Sequence, residues 1–187
     1  MPTRLIVSAP EITEEDEPDI QRIWRATETG LHVPPSVIGQ MTHKAIELWL
    51  AIDDPRLTHL LESLAINAVF ATNEQRLEAV RRVRGLIERL CAHPLRGEID
   101  AADTKHHEVP YLRMVGKRSE TGYMDLLYQN KEGWHVIDFK TDLIRNEATR
   151  PRLISHYKSQ VARYEKAVEA LLGQSPRVYI CFLDDHE

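Results

Sequence analysis

Asp138 and Lys140 flank a single phenylalanine inside the otherwise apolar stretch WHVIDFKTD, residues 134–142. In a strand, residues two apart share a face. Asp138 and Lys140 then project one way with Val136, and Ile137, Phe139 and Thr141 project the other. The preceding apolar run, GYMDLLYQ, carries Asp125. If NKEG (130–133) is a four-residue hairpin loop, Gln129 faces Trp134, and counting back sets Asp125 opposite Asp138. Two carboxylates then share a face about 5 Å apart. Like charges so placed repel, and a divalent cation turns the repulsion into coordination, because hard cations favour carboxylate oxygens. HHEVPYL, further upstream, adds Glu108. A lysine beside such a centre could orient a water, assist its deprotonation or stabilise charge on a reacting phosphate. Taken singly, an aspartate in a strand or an Asp-x-Lys pair is more often a solvated ion pair. The joint pattern of Glu108, Gly122-x-x-Asp125 and Asp138-x-Lys140 inside apolar runs carries the argument.

The elements that must position these residues follow from periodicity. A short apolar run at 3–8 reads as a strand, and 9–19 as an acidic linker with two prolines. Apolar residues at helical spacing predict a helix over 34–50 with Ser36 as N-cap. Two more helices are expected over 57–70 and 73–93, the second capped by Asn73 and ended by Pro94. Three extended runs follow, at 106–115, 121–129 and 134–141, separated by polar turns. A long helix from about 149 to 172, closed by Gly173, leads to a last strand at 177–183. The expected division is an N-terminal segment, 1–19, and one α/β domain, 20–187, with a helical insertion at about 57–93.

The 187 residues carry a formal net charge of −5, which at first argues against a nucleic-acid partner. Six acids and no base lie in 11–19, however. Beyond residue 19 the chain holds 23 acids and 23 bases, and 145–163 has five bases against one acid. Such a local basic stripe suits a phosphate backbone. No apolar run long enough to span a membrane is present, and no signal peptide opens the chain. Cys91 and Cys181 are too few for an iron–sulfur cluster or a cysteine zinc site, and read as reduced thiols of a cytoplasmic protein.

In this order, helix, three strands, helix, strand, the segments resemble the PD-(D/E)xK nuclease superfamily and its restriction-endonuclease-like core. More narrowly they look like the C-terminal nuclease domain of the RecB and AddA helicase–nucleases. IDFKTD resembles the signature strand, GYMD the preceding acidic strand, and HEVPY a Glu-x-Pro-aromatic strand. IGQMTHKAIELW resembles an early Gly-x-x-x-His helix, and YKSQVARY a Tyr-x-x-Gln-x-x-x-Tyr helix. The resemblance implies a metal held by His43, Asp125, Asp138 and the backbone carbonyl of Phe139. Glu108 would support the metal or its water, and Lys140 would be the catalytic lysine. It implies a DNA path along Gln160 and Tyr164, which share a helix face, with Tyr157, Lys158, Arg152 and His156 as further contacts.

The expectation is a Mg²⁺-dependent (or Mn²⁺-dependent) exonuclease acting on single-stranded DNA. Its partners would be a helicase motor and a second protein, AddB-like or RecC-like, in recombination and double-strand-break repair. No Gly-x-x-x-x-Gly-Lys-Ser/Thr loop is present, so no ATP site is expected in this chain. Two alternatives differ in class or mode: an inactive DNA-binding or docking module, and an independent endonuclease of the same fold.

Overall fold

A computed structural model describes residues 3–6, 33–68, 70–144 and 148–185. The acidic segment 9–19 lies outside them. The elements are β1 (Thr3–Ile6), α1 (Pro35–Glu47), α2 (Pro55–Asn67), α3 (Asn73–Ala92), α4 (Pro94–Asp100), β2 (Thr104–Val115), β3 (Arg118–Asn130), β4 (Gly133–Ile144), α5 (Thr149–Leu172) and β5 (Arg177–Asp185). The strands form one mixed five-stranded sheet in the order β1-β5-β4-β3-β2. Among the described residues only β4 and β5 run parallel, and α5 makes the crossover that a parallel pair requires. This is the α/β, restriction-endonuclease-like architecture that the order of the segments predicts.

The core has two parts, one on each face of the sheet. Leu126, Tyr128, Ile137, Phe139, Tyr179 and Cys181 pack under α1, α2 and α3. Val136, Val178, Ile180 and Phe182 pack under Leu153, Val161 and Val168 of α5. β4 and β5 are buried on both faces, which is why their sequences read as nearly continuous apolar runs.

Several local expectations are corrected. α1 has Pro34 at its N-cap with no side-chain cap, so Ser36 does not cap it and is left in the first turn. Thr72, not Asn73, caps α3: its hydroxyl accepts from the Gln75 N–H while the Gln75 side chain accepts from the Thr72 N–H. This is a reciprocal capping box, a stronger arrangement than one Asn oxygen supplies. Asn130 pairs with Gly133, so the β3–β4 loop has two residues rather than four. Pro94 does end α3, but it also opens α4, which the sequence reading missed. Seven residues with two buried apolar positions, Leu95 and Ile99, are too few to show a period.

Candidate active site

The three site strands part company where the acids sit. The β2–β3 ladder pairs His107 with Leu126 and Val109 with Met124, leaving out Glu108 and Asp125 between them. The β3–β4 ladder ends at Leu126 and Ile137, one pair short of Asp125 and Asp138. Glu108 has φ 49°, a left-handed conformation rare for a non-glycine residue and a common mark of a functional constraint. The unpaired position frees its carboxylate from the regular alternation of the strand. In place of a ladder bond, the Phe139 N–H donates to Asp125 Oδ2 at 2.7 Å. Asp125 therefore pins β3 to β4 with one oxygen. The other, Oδ1, lies 3.2 Å from His43 Nδ1 on α1.

α1 is held at that height by its own C-terminal end. Trp49, also in the left-handed region, donates from Nε1 to Asp100 at 2.6 Å and packs at a tilt against His107 of β2. Arg96 of α4 lies over the same indole. The missed helix α4 thus ties α1 to β2, and with them His43 to Glu108. Ligand atoms of His43, Glu108 and Asp125 all lie within 4.8 Å of one another.

Asp138 is 1% exposed and lies outside that group of three, with Oδ2 2.8 Å from Lys140 Nζ. The contact is an ion pair without hydrogen-bond alignment, so Oδ2 is a buried acceptor left open. Burial pushes the Asp138 carboxyl up to about 6, Lys140 opposing and Asp125 reinforcing the shift. Burial, then the Asp125 charge, also raises Glu108. Burial alone would lower His43, but its contact with Asp125 outweighs this, and the net shift is upward. Three carboxylates and an imidazole collected at this cost, with an open acceptor among them, are the donor set of a hard divalent cation, and the residues fit one.

Lys140 is held from three sides. Besides Asp138, its Nζ donates to Gln160 Oε1 at 2.9 Å and lies 4.2 Å from the Tyr157 ring centroid. Gln160 Nε2 donates in turn to the Tyr164 hydroxyl at 2.6 Å. Tyr164 meets the edge of Tyr111, and a Cβ on Gly122 would come within 2.7 Å of the Tyr111 ring. Gly122 is glycine because that ring lies on it. Gly122, Tyr111, Tyr164 and Gln160 therefore form a packed line that ends at the lysine.

The profile of the PD-(D/E)XK nuclease superfamily matches residues 20–187. The chain belongs to this superfamily. Its curated relatives include the AddA chain of the ATP-dependent helicase/nuclease of Oceanobacillus iheyensis, 24% identical over 165 residues. That alignment covers 77% of this chain and 13% of the relative. The protein of the same name from Bacillus cereus is 34% identical over 92 residues, 38% of this chain and 7% of that one. The chain therefore spans only a small part of these relatives. Among solved structures, protein VC1899 from Vibrio cholerae shares 15% identity with a TM-score of 0.34, over 79% of this chain and 47% of that one.

PD-(D/E)XK nucleases use divalent metals, and His43, Glu108 and Asp125 lie close enough together to share one. One expected site residue is placed differently from the sequence reading. Tyr164 is 4% exposed, so its ring belongs to the core and its hydroxyl to Gln160 rather than to an open DNA path. Phe139 meets Asp125 through its N–H. Tyr157 is half-buried and donates to Asp142 Oδ2 at 2.9 Å. Arg152 and His156 are exposed on α5, and Lys158 is partly so. The sequence reading missed Asp142. Its signal was there, since Asp138, Lys140 and Asp142 recur at spacing two.

Proposed function

We propose that this domain is a metal-dependent deoxyribonuclease, hydrolysing phosphodiester bonds of single-stranded DNA from an end, within a helicase–nuclease of DNA recombination and repair. One observation carries the reading: three ligand residues from α1, β2 and β3 converge beside a lysine that Asp138, Gln160 and Tyr157 hold in place. The names of the curated relatives support the helicase–nuclease setting. Asp125, His43 and Glu108 would hold Mg²⁺ or Mn²⁺, with Asp138 supplying its open oxygen. The bound cation supplies a water of lowered pKa and neutralises the phosphate.

The remaining steps belong to the chain. An ammonium has three donors. Lys140 gives one of them to Gln160 and is ion-paired with Asp138, which leaves a donor for a phosphate oxygen or the attacking water. Asp138 keeps that ammonium from swinging away, and Gln160 fixes its direction. Charge that develops on the phosphate meets a cation already in place, so no reorganisation is needed during reaction. Arg152 and Lys158 on α5 would track the sugar-phosphate, giving little sequence preference.

The test is degradation of end-labelled linear single-stranded DNA in Mg²⁺ and in excess EDTA, with wild type and Asp138→Ala. Mg²⁺-dependent loss in the wild type alone is the expected result, and the labelled end reports polarity. Equal cleavage by Asp138→Ala would remove the site. Release of internal fragments from circular single strands would make the enzyme an endonuclease.

A further inference from the structure

A pocket of about 680 Å³ opens beside Lys140, between the first turns of α1 and the end of β4. Its volume is in the range that takes a small-molecule-sized group. Gly39, on the wall formed by α1, is the informative residue. A glycine inside a helix costs stability relative to alanine. Nothing in the fold asks for that cost. Gly39 has no left-handed backbone, and a Cβ there would meet only Thr141 Oγ1, at an ordinary 3.6 Å. The contrast with Gly122, where the Tyr111 ring leaves no room, is direct. A side chain at position 39 would have open space ahead of it, and Gly39 lines the pocket.

The pocket's chemistry is mixed. His43 and Lys140 are shared with the candidate centre. Ser36, released from capping α1, brings a hydroxyl. Asp142 is 8% exposed, and the Tyr157 hydroxyl holds one of its oxygens. A carboxylate has about four acceptor sites, so beyond that bond and one from its own backbone N–H, Asp142 keeps capacity to accept from a sugar hydroxyl or a base amine. A cation, hydroxyls and one oriented acceptor suit a phosphate joined to a sugar and base. They suit a bare anion less well, since Asp142 would repel it.

We propose that this pocket is a subsite for one nucleotide of the DNA strand, next to the phosphate at the candidate centre, and that Gly39 keeps it open. The proposal rests on the nuclease reading for its ligand. The test compares wild type, Gly39→Ala and Gly39→Leu. It measures melting temperature, Mn²⁺ binding, affinity for a fluorescein-labelled oligothymidylate in EDTA, and cleavage kinetics in Mg²⁺. Gly39→Ala is expected to melt higher than wild type. Gly39→Leu is expected to bind Mn²⁺ as wild type does, but to bind the oligonucleotide about tenfold more weakly, the loss of one nucleotide's contacts, with KM raised. Gly39→Met, unbranched, serves as the bulky variant should leucine not fold. Wild-type affinity in the bulky variant would overturn the subsite, as would a wild type that binds no oligonucleotide. A wild type that binds but never cleaves would end the nuclease reading alone. Weaker binding by the bulky variant in that case would still support the pocket.

Discussion

At the scale of single residues, the site gathers charges that the metal-free fold tolerates poorly. Asp138 shows this most clearly. Burial holds its carboxyl up to about 6, against an ordinary 3.8. Between those values the folded protein binds the proton and the unfolded chain releases it. The contribution of Asp138 to metal-free stability is therefore most favourable below the ordinary value, falls as pH rises through about 6, and stays low above that. Asp138→Asn keeps the shape and removes the charge. Melting curves in EDTA from pH 4 to pH 8 are expected to show a shallower decline for the variant and a higher melting temperature at neutral pH, with cleavage lost. A variant that melts lower at neutral pH would mean the Lys140 ion pair outweighs the burial cost. Lys140 itself lies outside the group of three ligands. Lys140→Ala is expected to keep Mn²⁺ binding by titration calorimetry and to lose turnover. Loss of Mn²⁺ binding would make the lysine part of the metal's support.

At the scale of elements, two attachments place the reacting groups. Trp49, Asp100 and Arg96 hold the end of α1 to α4, and Trp49 meets His107 of β2. The line from Gly122 through Tyr111, Tyr164 and Gln160 connects β3 and β2 to α5 and stops at Lys140. Gly122→Ala drives a methyl into the Tyr111 ring. The displacement passes down the line and shifts the lysine. A misplacement of about 1 Å can cost about a hundredfold in rate, so kcat is expected to fall by up to that factor with KM little changed. An unchanged kcat would show that Asp138 and Tyr157 suffice to hold the lysine.

At the scale of the whole molecule, the two faces of the sheet have different tasks. The α1–α4 face supplies most of the apolar burial, while the other face is covered by α5, whose described residues include Arg150, Arg152, Lys158 and Arg163. Among the described residues no helix is long and apolar enough to cross a membrane. If the stripe tracks phosphates, affinity for single-stranded DNA is expected to fall linearly on a log–log plot against salt. Arg152→Ala with Lys158→Ala is expected to make that slope shallower by about 1.4, roughly 0.7 for each phosphate contact removed. A slope unmoved by both changes would direct the DNA elsewhere on the surface.

The sequence by itself determined the class of fold and named the candidate residues that the fold brings together. Apolar alternation cannot be sustained through Asp125, Asp138 and Lys140 without setting them on the faces they occupy, and five segments in one order are specific enough to carry a family resemblance. Local chemistry was less legible where two residues compete for one role. Thr72 and Asn73 are both good caps, and only the path of the chain chose between them. The tertiary structure alone decided three things. It opened the ladders at Glu108 and Asp125, because pairing is a property of two strands together and its loss leaves no mark in either. It turned Tyr164 from the DNA path into the core, because burial depends on what Tyr111 and Gly122 do some forty to fifty residues away. And it separated the two signature glycines, one required by a ring lying on it and the other facing a pocket, a distinction that spacing along a chain does not contain.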